Sequence, residues 1–223
     1  HITKSRRLRP GDSFLVQDKQ GKRFEANLKS FDRNSLLFTT QKLVATPPDS
    51  SLRIEILQAL PKQKALDFIL QKTTELGVSR MDMFCGKHSP KTFRPHEQQH
   101  HLNRWQRIAS ESSKQCGRQF PPEIHFHADI STALETIPKC PNSWILVPDK
   151  ANAVSWRNLT LSRNDKVKHH RVLIGPEGGF HQDEIRKSLN FSIRPVYLGP
   201  RILRSETAAM SSVTILQFLW GDL

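Results

Sequence analysis

The sequence has little of what marks a secreted or membrane-spanning chain. None of its apolar runs approaches the roughly 20 residues of a membrane-spanning helix, and no signal peptide is visible. Its three cysteines, Cys85, Cys116 and Cys140, are widely spaced, form no CxxC pair and leave an odd thiol. A disulfide framework is therefore not expected, and we expect a reducing cytoplasm and no membrane partner.

A metal site is not predicted either. His125, His127, His169 and His170 come closest to a ligand cluster, but neither a cysteine pair nor a group of acidic ligands accompanies them. Scattered surface histidines are the better interpretation.

Acidic residues are scarce relative to basic ones. Against 34 lysines and arginines stand 21 aspartates and glutamates, which gives a formal net charge of +13. Such an excess favours a polyanionic partner, and RNA is the obvious one. A length of 223 residues is enough for a small domain followed by a larger one.

Residues 1–50 carry β-rich or alternating patterns at 13–17, 23–31 and 35–40, with turn residues between them. They predict a small β-barrel, and 46–51 form a credible linker. Basic residues near the start suit contacts with phosphate groups, and a solvated arm explains them equally well. They are Lys4, Arg6, Arg7 and Arg9.

From residue 52 onward, strand and helix patterns alternate, which predicts a parallel α/β sheet. Strands are predicted over 52–59, 79–85, 123–128, 144–147, 172–174 and 196–198, and helices over 62–76, 97–116 and 205–220 and from about 131 and 181. Residues 152–170 are expected to form a loop with a poor helix.

Two helix starts carry capping signals. His181 with Glu184 gives half of a capping box, and Ser205 is expected to cap the last helix. That helix is apolar on most sides, so we expect it to be deeply buried or covered by a partner subunit.

Two segments near the carboxyl end share one plan. In 172–180 and again in 198–208, an apolar run leads into a Gly/Pro-rich turn and then a helical pattern. Gly178 and Gly179 leave the backbone bare, so a planar ligand can approach the peptide groups, and a proline in each loop stiffens it. At adjacent strand ends, where we expect them, the two loops would form a ligand cleft. A conventional Rossmann methyltransferase is rejected, because its glycine loop would follow the first strand.

The sequences GPEGG at 175–179 and LGPRILRSETA at 198–208 resemble the paired cofactor loops of the SPOUT superfamily, the knotted RNA methyltransferases. The sequences of these two motifs are most similar to those of the bacterial ribosomal RNA uridine-N3 methyltransferases (RsmE-like). Further matches are QKTTELGV at 71–78, QCGR at 115–118 and WGDL at 220–223. The resemblance runs along nearly the whole chain.

The resemblance implies an α/β fold in which a PUA-like, RNA-binding β-barrel over 1–50 precedes a knotted parallel-sheet methyltransferase domain over 51–223. We expect the amino end of the barrel to be incomplete. The implied cofactor is S-adenosylmethionine, and the implied reaction is methylation of N3 of a uridine in 16S ribosomal RNA. The implied form is a cytoplasmic homodimer that acts on small-subunit RNA, within the assembled particle.

Site residues follow from the matched motifs. Arg201 and Arg204 are predicted to orient the substrate or stabilise its anion. Glu206 is a candidate base, but a carboxylate that satisfies the dipole of its helix or pairs with an arginine is the favoured interpretation. The predicted cofactor-binding residues are Ile174, Gly175, Pro176, Glu177, Gly178, Gly179, Leu198, Gly199, Ile202 and Leu203. The predicted RNA-binding residues are Arg6, Arg7, Arg9, Lys64, Lys87, Arg94 and Arg118.

The chain departs from the family pattern at two places. Lys87, in the segment 85–89, stands where the family tends to have an arginine, which is the better bidentate phosphate ligand. Lys114 replaces a usual glutamate, so it receives no catalytic role. Two alternatives stay open: a SPOUT methyltransferase with another rRNA or tRNA target, and a non-catalytic RNA-binding protein. Cofactor binding distinguishes a methyltransferase from the non-catalytic RNA-binding protein.

Overall fold

The computed structural model describes residues 8–18, 20–33, 35–45, 48–90, 95–148, 152–159 and 168–223. The chain divides into two compact units, His1–Pro48 and Asp49–Leu223. The division falls close to the predicted boundary after residue 50.

The first unit is an antiparallel sheet of three strands, β1 (Ser13–Gln17), β2 (Arg23–Phe31) and β3 (Leu36–Val44). Phe14, Ala26 and Leu28 form its small core. In the described residues these three strands form an open sheet and do not close into the predicted barrel. β3 runs beyond its predicted end at residue 40, because its second half pairs with the start of β2.

The described part of the second unit is built on seven parallel strands. The strands are β4 (Arg53–Ala59), β5 (Arg80–Phe84), β6 (Glu123–His127), β7 (Asn142–Leu146), β8 (Val154–Ser155), β9 (His169–Ile174) and β10 (Arg194–Tyr197). Their order in the sheet is β6-β5-β4-β9-β7-β10-β8.

The strand order corrects one expectation. The strands that precede the two glycine loops, β9 and β10, are not neighbours, because β7 lies between them. β9 and β10 are each inserted between strands that come earlier in the chain. The predicted knot stays a prediction.

In the described part of the second unit, six helices cover the sheet. They are α1 (Gln63–Glu75), α2 (Pro95–Cys116), α3 (Ile130–Thr136), α4 (Trp156–Leu159), α5 (Gln182–Asn190) and α6 (Ser205–Trp220). Side chains alternate along β4, so Ile54 and Ile56 join the core beneath α1, α2 and α6. Leu57 and Ala59 join the core beneath α3 and α5 on the other face.

Two helix starts differ from the sequence predictions. His181 gives α5 a complete capping box: its ring accepts from the amide of Asp183, and the carboxylate of Glu184 accepts from the amide of His181 at 2.8 Å. At α6 the predicted serine cap is wrong. Arg204 is the N-cap residue without a side-chain cap bond, and Ser205 bonds elsewhere.

The helix α6 is buried on one side only. Ala209, Val213 and Leu216 are fully buried, whereas Phe218 is 73% exposed. Within the described part of 152–170, a short strand and a short helix replace much of the predicted loop. Among the described helices, none has the length and apolar character of a membrane span.

Candidate functional site

The first glycine loop is a tight turn at the carboxyl end of β9. The amide of Gly179 donates to the carbonyl of Pro176 at 3.0 Å, and Gly179 has a φ of +70°, which favours glycine. A Cβ at Gly175 would lie 3.3 Å from the backbone of Gly179. The turn therefore closes on itself and needs glycine at both ends.

Ser205 ties this loop to the helix that follows the second loop. Its hydroxyl donates to the carbonyl of Gly175 at 2.7 Å and accepts from Nε2 of Gln58 at 3.0 Å. The same Gln58 amide donates to the carbonyl of its neighbour Ala59 at 2.7 Å. The end of β4, the first loop and the start of α6 thus meet at one polar node.

Gln58 is fully buried, yet its Oε1 atom has no hydrogen-bond partner among the described residues. A buried acceptor without a partner is costly, so such groups are frequent where a protein expects a ligand or water. Neither Gln58 nor the bonding role of Ser205 was predicted from the sequence. The available signal was a glutamine inside the apolar run 52–59.

Glu177, a predicted cofactor residue, has a partner within the protein. Its Oε1 accepts from the amide of Lys62 at 3.0 Å, and Lys62 is the N-cap residue of α1 without a side-chain cap of its own. A carboxylate at a helix N-terminus is stabilising. Glu177 therefore joins the first loop to α1 and is not a free proton acceptor.

The second loop is open to solvent. Arg201 and Arg204 are exposed, Ile202 is 86% exposed, and Leu203 is partly buried. Glu206 lies partly buried in the first turn of α6, where a negative charge suits the helix dipole. The two arginines place two positive charges beside the backbone of this loop.

The segment after β5 packs against the start of α5. The amide of Lys87 donates to Oε1 of the buried Glu184 at 3.0 Å, and its ammonium group pairs with Asp183. Hydrogen bonds from Lys87 and Arg186 hold the pKa of Asp183 below its ordinary value. Lys87 is therefore engaged with α5 rather than free.

The predicted RNA-binding residues have different surroundings. Lys64 on α1 and Arg9 in the first unit are exposed. Arg118 instead donates to the carbonyls of Thr74 and Val78 at 3.0 and 2.7 Å, and little of its side chain is exposed, so its guanidinium group is engaged within the protein. Arg6, Arg7 and Arg94 lie outside the described residues.

A cavity of about 520 Å³ lies beside the second loop, against the exposed side of α6. It is lined by Trp156, Tyr197, Leu198, Ile215, Phe218 and Leu219, among others. No residue of the first loop lines it, so it is not by itself a pocket for a ligand that touches both loops.

The opposite end of the sheet holds a network of buried charges. Glu55 on β4 accepts from Arg171 on β9 and, at 2.9 Å, from Arg53. Asp82 on β5 accepts from His127 at 2.7 Å and forms two bonds with Arg80. Burial raises the pKa of Glu55, but Arg171 and His169 outweigh it, so the net pKa lies below the ordinary value.

A family model described as an RNA methyltransferase domain matches residues 48–217, a span that contains both loops and the polar node. Because the match covers more than half of the chain, the second unit is an RNA methyltransferase domain.

The chain is 31% identical to the ribosomal RNA small subunit methyltransferase E of Mesomycoplasma hyopneumoniae, over 73% of this chain and 68% of that protein. It is 27% identical to the protein of the same name from Buchnera aphidicola, over 100% of this chain and 85% of the relative. The chain belongs to this RsmE family of SPOUT-type ribosomal RNA methyltransferases.

Solved structures of methyltransferases have the same fold as this chain. A methyltransferase from Legionella pneumophila with bound S-adenosylmethionine has a TM-score of 0.89 and 26% identity, over 100% of this chain and 89% of that chain. The methyltransferase E of Neisseria gonorrhoeae, bound to the same molecule, has a TM-score of 0.84 and 26% identity, over 99% and 89%. The predicted α/β fold is confirmed.

Proposed function

We propose that the chain is an S-adenosylmethionine-dependent methyltransferase that methylates N3 of a uridine in 16S ribosomal RNA. The observation that carries the proposal is the polar node of Gln58, Gly175 and Ser205, which joins the first glycine loop to the helix after the second. The names and bound cofactors of the relatives support the same reading.

The residues present fit this cofactor. Gly179 and Gly199 have φ angles of +70° and +127°, and a Cβ at either would meet nothing within 4 Å, so both loops offer open backbone to a ligand. The Oε1 atom of Gln58, whose amide bonds to Ser205, is buried and has no hydrogen-bond partner among the described residues. We infer that the predicted set from Ile174 to Leu203 holds the cofactor, which supplies an activated methyl group when bound.

The chain must still make uridine N3 a nucleophile, because N3 carries a proton. Arg201 and Arg204 are exposed at the second loop, and positive charge there would stabilise the uridylate anion. They would also orient the base toward the cofactor.

Lys64, Arg9 and the net charge of +13 suit the phosphate groups of the RNA. We place the reaction in the cytoplasm, on small-subunit RNA in its assembled particle. Small-subunit ribosomal RNA stands in the names of the relatives, and none of the three cysteines is in a disulfide, which suits a reducing compartment. The first unit is proposed as a PUA-like RNA-binding module.

A homodimer is part of the proposal. Ile202 and Phe218 are 86% and 73% exposed, and the cavity beside α6 adds further apolar surface. An apolar surface of this kind fits a second copy of the chain. Analytical ultracentrifugation should give twice the chain mass of 25.6 kDa, and Phe218→Glu should shift it toward the monomer.

The test is transfer of labelled methyl groups to purified small subunits, naked small-subunit RNA and bulk tRNA, followed by nucleoside analysis. We expect 3-methyluridine in small-subunit RNA. Label in another nucleoside would discard the proposed target and keep the enzyme. No label, together with no cofactor binding by calorimetry, would leave a non-catalytic RNA-binding protein.

Variants of the second loop sharpen this test. Arg201→Ala and Arg204→Ala should each lower the rate of transfer roughly 100-fold, because a positive charge at the developing anion is lost. Cofactor affinity should stay close to that of the wild type. Arg186→Ala, which removes an exposed arginine of α5, is the matched control and should transfer at the normal rate.

A further inference from the structure

His88 lies directly on the first glycine loop. It follows β5 in a turn closed by two bonds, from the amide of Gly86 to the hydroxyl of Ser89 at 2.9 Å and from the amide of Ser89 to the carbonyl of Gly86 at 3.0 Å. The bond from Lys87 to the buried Glu184 fixes this turn against α5. The backbone that carries His88 is therefore held on two sides.

The ring of His88 bonds to the glycine loop through one nitrogen. Nδ1 lies 3.1 Å from the carbonyl oxygen of Gly178 and 3.2 Å from that of Gly179. A carbonyl oxygen only accepts, so Nδ1 must carry the proton. A Cβ at Gly178 would come within 3.0 Å of Cβ of His88, which explains why glycine is needed there.

This contact selects the tautomer. When Nδ1 of a neutral imidazole carries the proton, Nε2 keeps its lone pair. His88 is exposed, and in the part of the chain that the structure describes its Nε2 has no hydrogen-bond partner. An imidazole held at Nδ1 by a backbone carbonyl, with Nε2 open, is the arrangement of a general base.

The charged neighbours of His88 come from two elements. On its own turn, Lys87 pairs with Asp183 of α5. From the start of α5, the ring of His181 lies 5.8 Å from the ring of His88 in edge-to-face contact, and Nδ1 of His181 lies 3.3 Å from the Lys87 ammonium group. Lys87, His181, Asp183 and Glu184 already bond one another or the backbone, which leaves His88 as the open base of this cluster.

We propose that Nε2 of His88 accepts the N3 proton of the target uridine, an inference that rests on the proposed function. The N3–H bond breaks, its electron pair stays on N3, and the proton forms the second N–H bond of an imidazolium, which later releases it to water. The electron pair on N3 is then free to accept the methyl group. Glu206 is a weaker candidate, because the α6 dipole stabilises its charged form.

Two substitutions separate the nitrogens of His88. In His88→Asn the amide nitrogen can reach the position of Nδ1 and keep the bond to the loop, but nothing replaces Nε2. In His88→Gln the amide stands near the position of Nε2 without a basic nitrogen. His181→Asn is the control, because asparagine is a good N-cap residue and the change removes only the neighbouring imidazole.

Three readouts test the proposal. Nitrogen NMR of the wild-type imidazoles should show His88 protonated at Nδ1. His88→Asn should bind S-adenosylmethionine within about twofold of the wild type, yet transfer methyl groups roughly 100-fold more slowly at neutral pH. The acidic limb of its pH–rate profile should disappear, and His181→Asn should retain both rate and profile.

A normal rate and pH profile in His88→Asn, while the wild type forms 3-methyluridine, would overturn the role of His88 alone. So would an Nε2-protonated ring in the wild type. A wild-type chain that forms no 3-methyluridine would overturn both proposals, so the two failures are distinguishable.

Discussion

Two regions of the central sheet differ in whether their buried polar groups have partners. In the amino-terminal half of β4, the fully buried Glu55 has Arg171 and Arg53 around it, and in the middle of β5 the buried Asp82 has Arg80 and His127. Near the carboxyl end of β4, the equally buried Gln58 has no partner for its Oε1 atom among the residues that the structure describes. The strand β4 carries both Glu55 and Gln58, three positions apart.

The difference separates structure from function. Charges with partners inside the protein are satisfied before any ligand arrives, so they serve the fold. A buried acceptor without a partner costs free energy that a ligand or water can recover. We therefore expect changes at the amino ends to alter stability, and changes at the carboxyl ends to alter binding and rate.

The largest effect is expected from Glu55→Leu. It leaves the buried Arg171 guanidinium without its carboxylate, which should lower the free energy of unfolding by about 3–5 kcal/mol. Urea unfolding followed by tryptophan fluorescence measures this. The double variant Glu55→Leu/Arg171→Met should recover most of the loss, since both charges are then gone. A double variant as unstable as the single one would contradict this account.

Asp82 should make the free energy of unfolding depend on pH in the acidic range. Burial raises its pKa, but bonds from His127 and Arg80 lower it more, from 3.8 to about 2. Because the pKa of Asp82 is depressed in the folded state, its contribution to the free energy of unfolding is fully present above pH 3.8. That contribution is lost as the pH falls through about 2. It should amount to about 2 kcal/mol. Unfolding of Asp82→Asn should lack this pH dependence, and an unchanged slope would exclude Asp82 as its source.

Ser205→Ala tests the other end of the sheet. It removes the hydroxyl that joins Gly175 to Gln58, so cofactor affinity should fall by about 1 kcal/mol, or roughly fivefold. Calorimetry with S-adenosylmethionine measures this. Ser212→Ala is the matched control, because that hydroxyl bonds only within α6, to the carbonyl of Ala208. Equal affinities for the two variants would remove the node from the binding site.

The smallest effect is expected from Arg104→Ala. Arg104 makes two bonds to Asp67 at 2.6 and 2.5 Å, but both side chains are about one third exposed. Water screens such a pair, so the free energy of unfolding should fall by less than about 1 kcal/mol. Arg107→Ala on the same helix is the control. A loss as large as that of Glu55→Leu would show that pairing matters regardless of burial.

Local signals in the sequence predicted most of the elements. β1 and β2 have their predicted bounds, and α1 follows its proline and ends before Gly77, whose φ is +89°. These features depend on alternation, helical spacing and turn residues, which act over a few positions. The family and the two glycine loops were also predicted from the sequence, since their motifs are contiguous.

Strand order and hydrogen-bond partners were decided by the tertiary structure. No local pattern could show that β7 separates β9 from β10, or that Ser205 would bond to Gly175 instead of capping α6. Glu177 was predicted only as a cofactor residue, and the fold alone shows that its carboxylate also accepts from the amide of Lys62 at the N-terminus of α1, 115 positions away. The sequence by itself determined the elements and the motif residues, because those depend on near neighbours. The tertiary structure alone decided which polar groups find hydrogen-bond partners, because those partners come from distant parts of the chain. It also decided which atoms, such as Gln58 Oε1 and His88 Nε2, have no partner among the described residues.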